Sequence, residues 1–180
     1  MNLMVVVIGI GEGINRGTET VISYAVSTNS HQLSVSYFRF MGVFTLIVGS
    51  SVVVLVYLFR DGLFGIYTNE KIILRIISEE SLIPILTLGA IIFRQYLIGT
   101  VRALNVDKPV FFMNLFSNII NGGLMYLFAF HMEKTKGLQG LWLAKAAFEG
   151  LINLMMLVYL WQKDWMVAIE ENKKIMGNSR

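Results

Sequence analysis

The chain has 180 residues and a mass of 20.3 kDa, and its mean hydropathy is +0.63. Of its residues 55% are hydrophobic and only 15% are charged, whereas soluble domains typically carry about 25% charged residues. A chain of this length cannot bury so much apolar surface in one soluble core, so the composition predicts an integral membrane protein. The net charge is only +3 and the bases are scattered, which argues against nucleic acid as a partner.

Apolar stretches, taken in chain order, predict the membrane-crossing helices, each of which needs roughly 20 mainly apolar residues. The first stretch is polar in its middle, and the other four contain few charges or none. We therefore predict an all-α integral membrane protein with five transmembrane helices, over about residues 2–28, 38–60, 81–103, 109–130 and 138–162. These spans form a membrane domain over residues 1–162. A weak excess of Lys and Arg on the C-terminal side predicts that residues 163–180 form a cytoplasmic tail, without indicating which membrane holds this multi-pass protein.

Three ionisable residues of the first span share one helix face, because Glu12, Arg16 and Glu19 are spaced i, i+4, i+7. A charged side chain at mid-membrane costs about 2.5 to 3.5 kcal/mol on insertion scales and usually faces a bundle interior or a water-filled cavity. One interpretation is an ion or substrate pathway, in which a carboxylate released from Arg16 binds H⁺, Na⁺ or a cationic substrate. The other is a permanent ion pair, or a helix end near the headgroups. The spacing leaves both open.

A run of glycines in the same span also has two interpretations. Gly9, Gly11 and Gly13 follow an apolar run, as in a dinucleotide-binding turn, but Ile14 stands where GxGxxG requires its third glycine. The better interpretation is a small-residue face made by Gly9, Gly13 and Gly17, which lets another helix approach closely. We predict that this glycine face, which lies beside the charged stripe on the same helix, packs against another helix.

The later spans contribute five more candidate pathway residues. Asn114 and Asn118 lie on a polar stripe that either lines an aqueous cavity or joins helices by hydrogen bonds. Lys145 and Glu149 are one turn apart and are expected to neutralise each other. Arg94 has no acid within one turn of its own helix, so it requires a carboxylate from another helix, such as those of the first span, or an anion or water.

No catalytic set appears in the sequence. It has no cysteine, no phosphate-binding loop and no Ser/His/Asp arrangement. Its two histidines, His31 and His131, lie at loop ends that are predicted on opposite sides of the membrane, so they are not expected to share a metal ion. We therefore expect no enzyme, no metal site and no cofactor other than a coupling ion, and we expect the lipid bilayer and a small organic cation as partners.

Short motifs occur in one order along nearly the whole chain. They are GINRG at residues 13–17, LFGIYTNE at 63–70, GTVR at 99–102, GLQGLW at 137–142 and DW at 164–165. Each motif is weak alone, being rich in Gly and Leu. Their order and spacing resemble the C-terminal half of the multidrug and toxic compound extrusion (MATE) transporters, from the eighth to the twelfth helix, where GLQGLW matches the family's G-L-x-G-L-W entry to the last helix.

The resemblance implies a cation-coupled antiporter of two six-helix lobes that exports organic cations or other xenobiotics against H⁺ or Na⁺. This chain would supply an incomplete C-lobe. The family's acid in the tenth helix is replaced by Ile91, and the seventh helix with its Glu has no counterpart, so a carboxylate relay would depend on Glu12 and Glu19.

We accordingly expect a partial or truncated transporter that is inactive without an N-lobe, which a longer gene product, a separate chain or a second copy would supply. Two alternatives remain open. One is a non-transporting membrane scaffold or half-transporter subunit, in which the polar stripes only hold helices together. The other is a lipid-linked oligosaccharide flippase of the same superfamily, which would require a more cationic cavity than Arg16, Arg94 and Lys145 provide.

Overall fold

The computed structural model describes residues 3–66, 70, 71, 74, 80–131 and 138–170, which are almost entirely helical. Five of the helices are long, and a short one follows the second. They are α1 (Leu3–Ser27), α2 (His31–Leu58), α3 (Arg60–Gly65), α4 (Leu82–Ala103), α5 (Asp107–Tyr126) and α6 (Leu138–Gln162), with a π-helical turn (Leu127–His131) after α5. The predicted all-α fold is confirmed.

Four helices of the described part are long and apolar enough to cross a membrane. They are His31–Leu58, Leu82–Ala103, Val110–Phe130 and Gln139–Gln162. Helix α1 is as long, at 25 residues, but carries Glu12, Arg16 and Glu19 in its middle. The five predicted spans therefore correspond to these four helices and to α1, which differs from them in polarity.

Two tight reversals set the antiparallel order of the helices at one end of the bundle. Asn29 has φ 55° between α1 and α2, and Asn105 has φ 52° between α4 and α5. Asparagine tolerates this left-handed conformation better than most residues, so the chain turns within a few residues. Ser30 then accepts a hydrogen bond from the backbone N–H of Leu33 at 3.2 Å and caps α2. Because of this cap, α2 begins at His31, before the apolar run starts.

Helix α4 is the centre of the bundle, since it packs against α1, α2 and α6, whereas α5 packs mainly against α6. Its inward face contributes Ile92, Tyr96, Leu97 and Val101, each at most 2% exposed. Large apolar side chains of α2 and α5 point outward, as expected where lipid replaces water. The fold therefore places α4 where polar groups from three neighbouring helices meet.

The beginning of the predicted tail packs against the bundle. Residues 165–170 are helical, and Trp165, Ala168 and Ile169 are buried. Asp164 explains the new helix, because its Oδ1 accepts hydrogen bonds from the backbone N–H groups of Met166 at 2.9 Å and Val167 at 3.4 Å. The polar composition of the tail concealed this amphipathic turn. Residues 171–180 lie outside the described part of the chain.

An Asp164→Ala variant is expected to loosen this terminal helix. Loss of an N-cap costs about 1 kcal/mol, which raises the open fraction roughly fivefold, so trypsin should cleave after Lys163 about five times faster. The rate is measured by mass spectrometry of timed digests in detergent micelles. Asp164→Asn keeps the capping oxygen and should be cleaved at the wild-type rate; equal rates for all three proteins would contradict the capping role.

Candidate functional site

A cluster of three charges, one buried and two half-buried, joins α4 to α6 near the middle of both helices. The Glu149 carboxylate of α6 lies 3.2 Å from Nη1 of Arg94 on α4 and 2.8 Å from Nζ of Lys145, one turn earlier on α6. The Glu149 side chain is 0% exposed, while those of Arg94 and Lys145 are 22% and 27% exposed. The required partner of Arg94 is thus Glu149, and not the acids of the first span. We call these three residues the ion triad.

The ion triad has one positive charge in excess, because two bases face a single carboxylate. Its contacts are ion pairs without hydrogen-bond alignment: neither Glu149 oxygen nor Nε of Arg94 has a hydrogen-bond partner among the described residues. The Lys145 ammonium lies 4.8 Å from the centre of the Phe148 ring, a cation–π contact. One turn beyond Glu149, Asn153 donates a hydrogen bond to the carbonyl of Ala90 at 2.9 Å and fixes α6 to α4.

A second polar contact joins α1 to α4. Asn15, which is 3% exposed, donates a hydrogen bond to Oε1 of Gln95 at 2.9 Å. One helical turn further on, Gly99 lies so close to α1 that a Cβ there would stand 2.4 Å from the carbonyl oxygen of Asn15 and 3.1 Å from Cβ of Thr18. Gln95 was not predicted as a site residue, because its only signal in the sequence is its position beside Arg94 in an apolar run.

The charged stripe of α1 lies on the outer side of that helix. Nε of Arg16 is 3.6 Å from Oε2 of Glu12, and their side chains are 81% and 56% exposed. Glu19 is half-buried on the same side. Since a bare charge in hydrocarbon is unfavourable, this face requires water or other protein beside it.

The glycine face of α1 is also uncovered. A Cβ at Gly9, Gly13 or Gly17 would meet nothing within 4 Å in the described chain, whereas one at Gly11 would stand 2.9 Å from Cγ of Gln95. The predicted glycine contact is therefore wrong for this chain by itself: Gly11 faces α4, and the three-glycine face points away from it. The spacing identified a face of small residues but not which neighbour it meets.

The polar stripe of α5 is divided between two surroundings. Asn114 is half-buried and Asn118 is exposed, while Ser117, at 1% exposed, and the Oδ1 atom of Asn121 are buried without a hydrogen-bond partner among the described residues. The inward members are thus Ser117 and Asn121. Within the same part of the chain, no three His, Cys, Asp or Glu side chains gather as metal ligands.

Comparisons with known proteins identify related molecules. The family model of MatE matches residues 1–127. A solved structure, described as the inward-facing conformation of a multidrug resistance MATE family transporter of the MOP superfamily, aligns with a TM-score of 0.75 at 17% sequence identity. The alignment covers 91% of this chain and 37% of that one, so this chain spans little more than a third of the length of the structure it matches. No curated protein sequence matches the chain.

Proposed function

The chain belongs to the MatE family of transporters, and from that membership we propose that it is part of a secondary active exporter of organic cations or other xenobiotics, coupled to H⁺ or Na⁺. The observation that supports this most directly is the charged stripe on the outer side of α1, where Glu12 and Arg16 are exposed and Glu19 is half-buried. A membrane helix presents such a stripe to an aqueous pathway or to a partner surface. In transporters built from two repeats, that pathway lies between the repeats.

The two charge clusters suit different roles. The Glu12–Arg16 pair is long, at 3.6 Å, and exposed, and exposed pairs contribute only about 0.2 to 1 kcal/mol, so Glu12 is available to a competing cation. Glu149 is enclosed by two bases at short range. We therefore assign cation binding to Glu12 and Glu19, and assign the ion triad the role of holding α4 and α6 together. The excess positive charge of the triad also makes it a poor site for an organic cation.

The isolated chain is proposed to be inactive. Alternating access in repeat-built transporters is a rocking of one repeat against another around a shared site, and this chain corresponds to 37% of the matched transporter. The charged stripe and the glycine face of α1 supply the surface for a second lobe. Proteoliposomes containing this chain alone should show no gradient-driven efflux of a fluorescent organic cation; efflux above that of protein-free vesicles would contradict the proposal.

A Glu12→Gln/Glu19→Gln variant tests the function in a complete transporter that carries this segment beside an N-lobe. Gradient-driven efflux should fall at least about tenfold, the change expected when a required charge interaction of about 1.4 kcal/mol is lost. Glu170→Gln is the matched control, because Glu170 is exposed on the terminal helix and should leave efflux unchanged. If the double variant exports at the wild-type rate, or loses only assembly with the N-lobe, the scaffold alternative replaces the proposal.

A further inference from the structure

A groove of about 290 Å³ opens between α2 and α6, at the end of the bundle where α6 ends. It lies between two helices that each pack against α4. Its walls are Val35 and Phe38 of α2, Leu157 and Leu160 of α6, and Trp165 of the terminal helix. Apart from the base described below, these walls are apolar.

The aromatic wall of the groove is held in place by specific contacts. The Phe38 ring lies edge-on to Trp165, with centroids 5.2 Å apart, and stacks on Tyr96 at 5.3 Å. The Tyr96 hydroxyl donates a hydrogen bond to the carbonyl of Phe38 at 2.9 Å, and the Trp165 indole N–H donates one to the carbonyl of Leu160 at 3.0 Å. The groove is therefore preformed and requires no rearrangement to accept an apolar chain.

The rim of the groove is basic. Arg39 lines it, is exposed, and has no carboxylate partner among the described residues. Trp161 also lines the groove and is 85% exposed. Lys163 comes two residues later in the sequence. The nearest acid in sequence, Asp164, directs its carboxylate at the two backbone amides that it caps. An exposed Trp beside bases at a helix end is typical of the level of the lipid headgroups.

We propose that this groove binds one anionic phospholipid, with an acyl chain along the apolar walls and the phosphate at Arg39. Basic pockets between transmembrane helices bind anionic headgroups. A zwitterionic lipid would bring a cation of its own to the basic rim and gain less. The volume of 290 Å³ lies just below the range of about 300 to 1,000 Å³ that is typical for drug-sized ligands, which suits one segment of an acyl chain. This site is independent of the proposed transport function.

Tryptophan quenching by brominated lipid tests the proposal in the full 180-residue chain, reconstituted in phosphatidylcholine vesicles. Trp161 and Trp165 line the groove, whereas Trp142 lies near the opposite end of α6, so Trp142→Phe removes the background signal. We expect brominated phosphatidylglycerol to associate about fivefold more strongly than brominated phosphatidylcholine, the preference that one base near an anionic surface supplies. Equal quenching by the two lipids would overturn the proposal.

Two further variants locate the preference. Arg39→Gln, in the Trp142→Phe background, should reduce the fivefold preference to about one, with unchanged far-ultraviolet circular dichroism because Arg39 is exposed. Arg102→Gln removes another exposed base from the same end of the bundle, in the last turn of α4 and outside the lining of this groove, and should keep the preference. A preference that survives Arg39→Gln, or that Arg102→Gln abolishes equally, would show only general attraction to an anionic surface and would refute the site.

Discussion

A Glu149→Gln variant is expected to lose about 3 to 5 kcal/mol of unfolding free energy, the range found when one partner of a buried ion pair is removed. Glu149 is fully buried and is the one carboxylate paired with Arg94 and Lys145 within the described residues. Glutamine keeps the shape but not the charge, so two bases would remain in the bundle without a counter-charge. Titration of dodecyl sulfate into maltoside micelles, followed by circular dichroism, measures the loss.

The matched control removes a base instead of the acid. Lys145→Met leaves the Arg94–Glu149 pair at 3.2 Å with no excess charge, so the unfolding free energy should change by less than about 1 kcal/mol. Glu149→Gln should therefore cost several times as much as Lys145→Met, although both break the same contact of 2.8 Å. Equal losses would mean that the contact itself, and not the uncompensated charge, determines the stability of the ion triad.

The ion triad was predictable from the sequence only in part. The i, i+4 spacing of Lys145 and Glu149 was sufficient to predict that they pair. That Arg94 needed a partner on another helix was also visible, but the identity of that partner depends on α4 packing against α6. Neither the turns nor the apolar periodicity determine that packing. Helix positions followed from apolar runs, because the bilayer sets helix length, whereas contacts between helices required the fold.

The same distinction explains the misplaced glycine contact and the docked tail. A repeat of glycines every four residues identifies a face, but Gly11 lies between two of its members and is the one that meets Gln95. Likewise, the polar tail contains one amphipathic turn: Asp164 caps it locally, but the Phe38 ring of α2, 5.2 Å from Trp165, holds it against the bundle. In both cases the deciding partner is distant in sequence.

A Gly99→Ala variant is expected to force α1 away from α4. The new Cβ would stand 2.4 Å from the Asn15 carbonyl oxygen, and a backbone atom cannot rotate aside as a side chain can. We expect a loss of about 1 to 3 kcal/mol of unfolding free energy, as for overpacked cores. Gly122→Ala is the control, because a Cβ there meets nothing within 4 Å, and it should not destabilise the bundle.

A disulfide between α1 and α4 supplies a distance measurement for the same prediction. The Cβ positions of residues 11 and 95 lie 3.7 Å apart, within the range of about 3.5 to 4.5 Å that a disulfide requires, and the chain has no cysteine of its own. The Gly11→Cys/Gln95→Cys variant should therefore oxidise readily to an intramolecular disulfide. Adding Gly99→Ala should slow that oxidation, because the two helices can no longer approach, while adding Gly122→Ala should not. Wild-type stability and unchanged oxidation in the Gly99→Ala protein would show that α1 and α4 are not in direct backbone contact at this point.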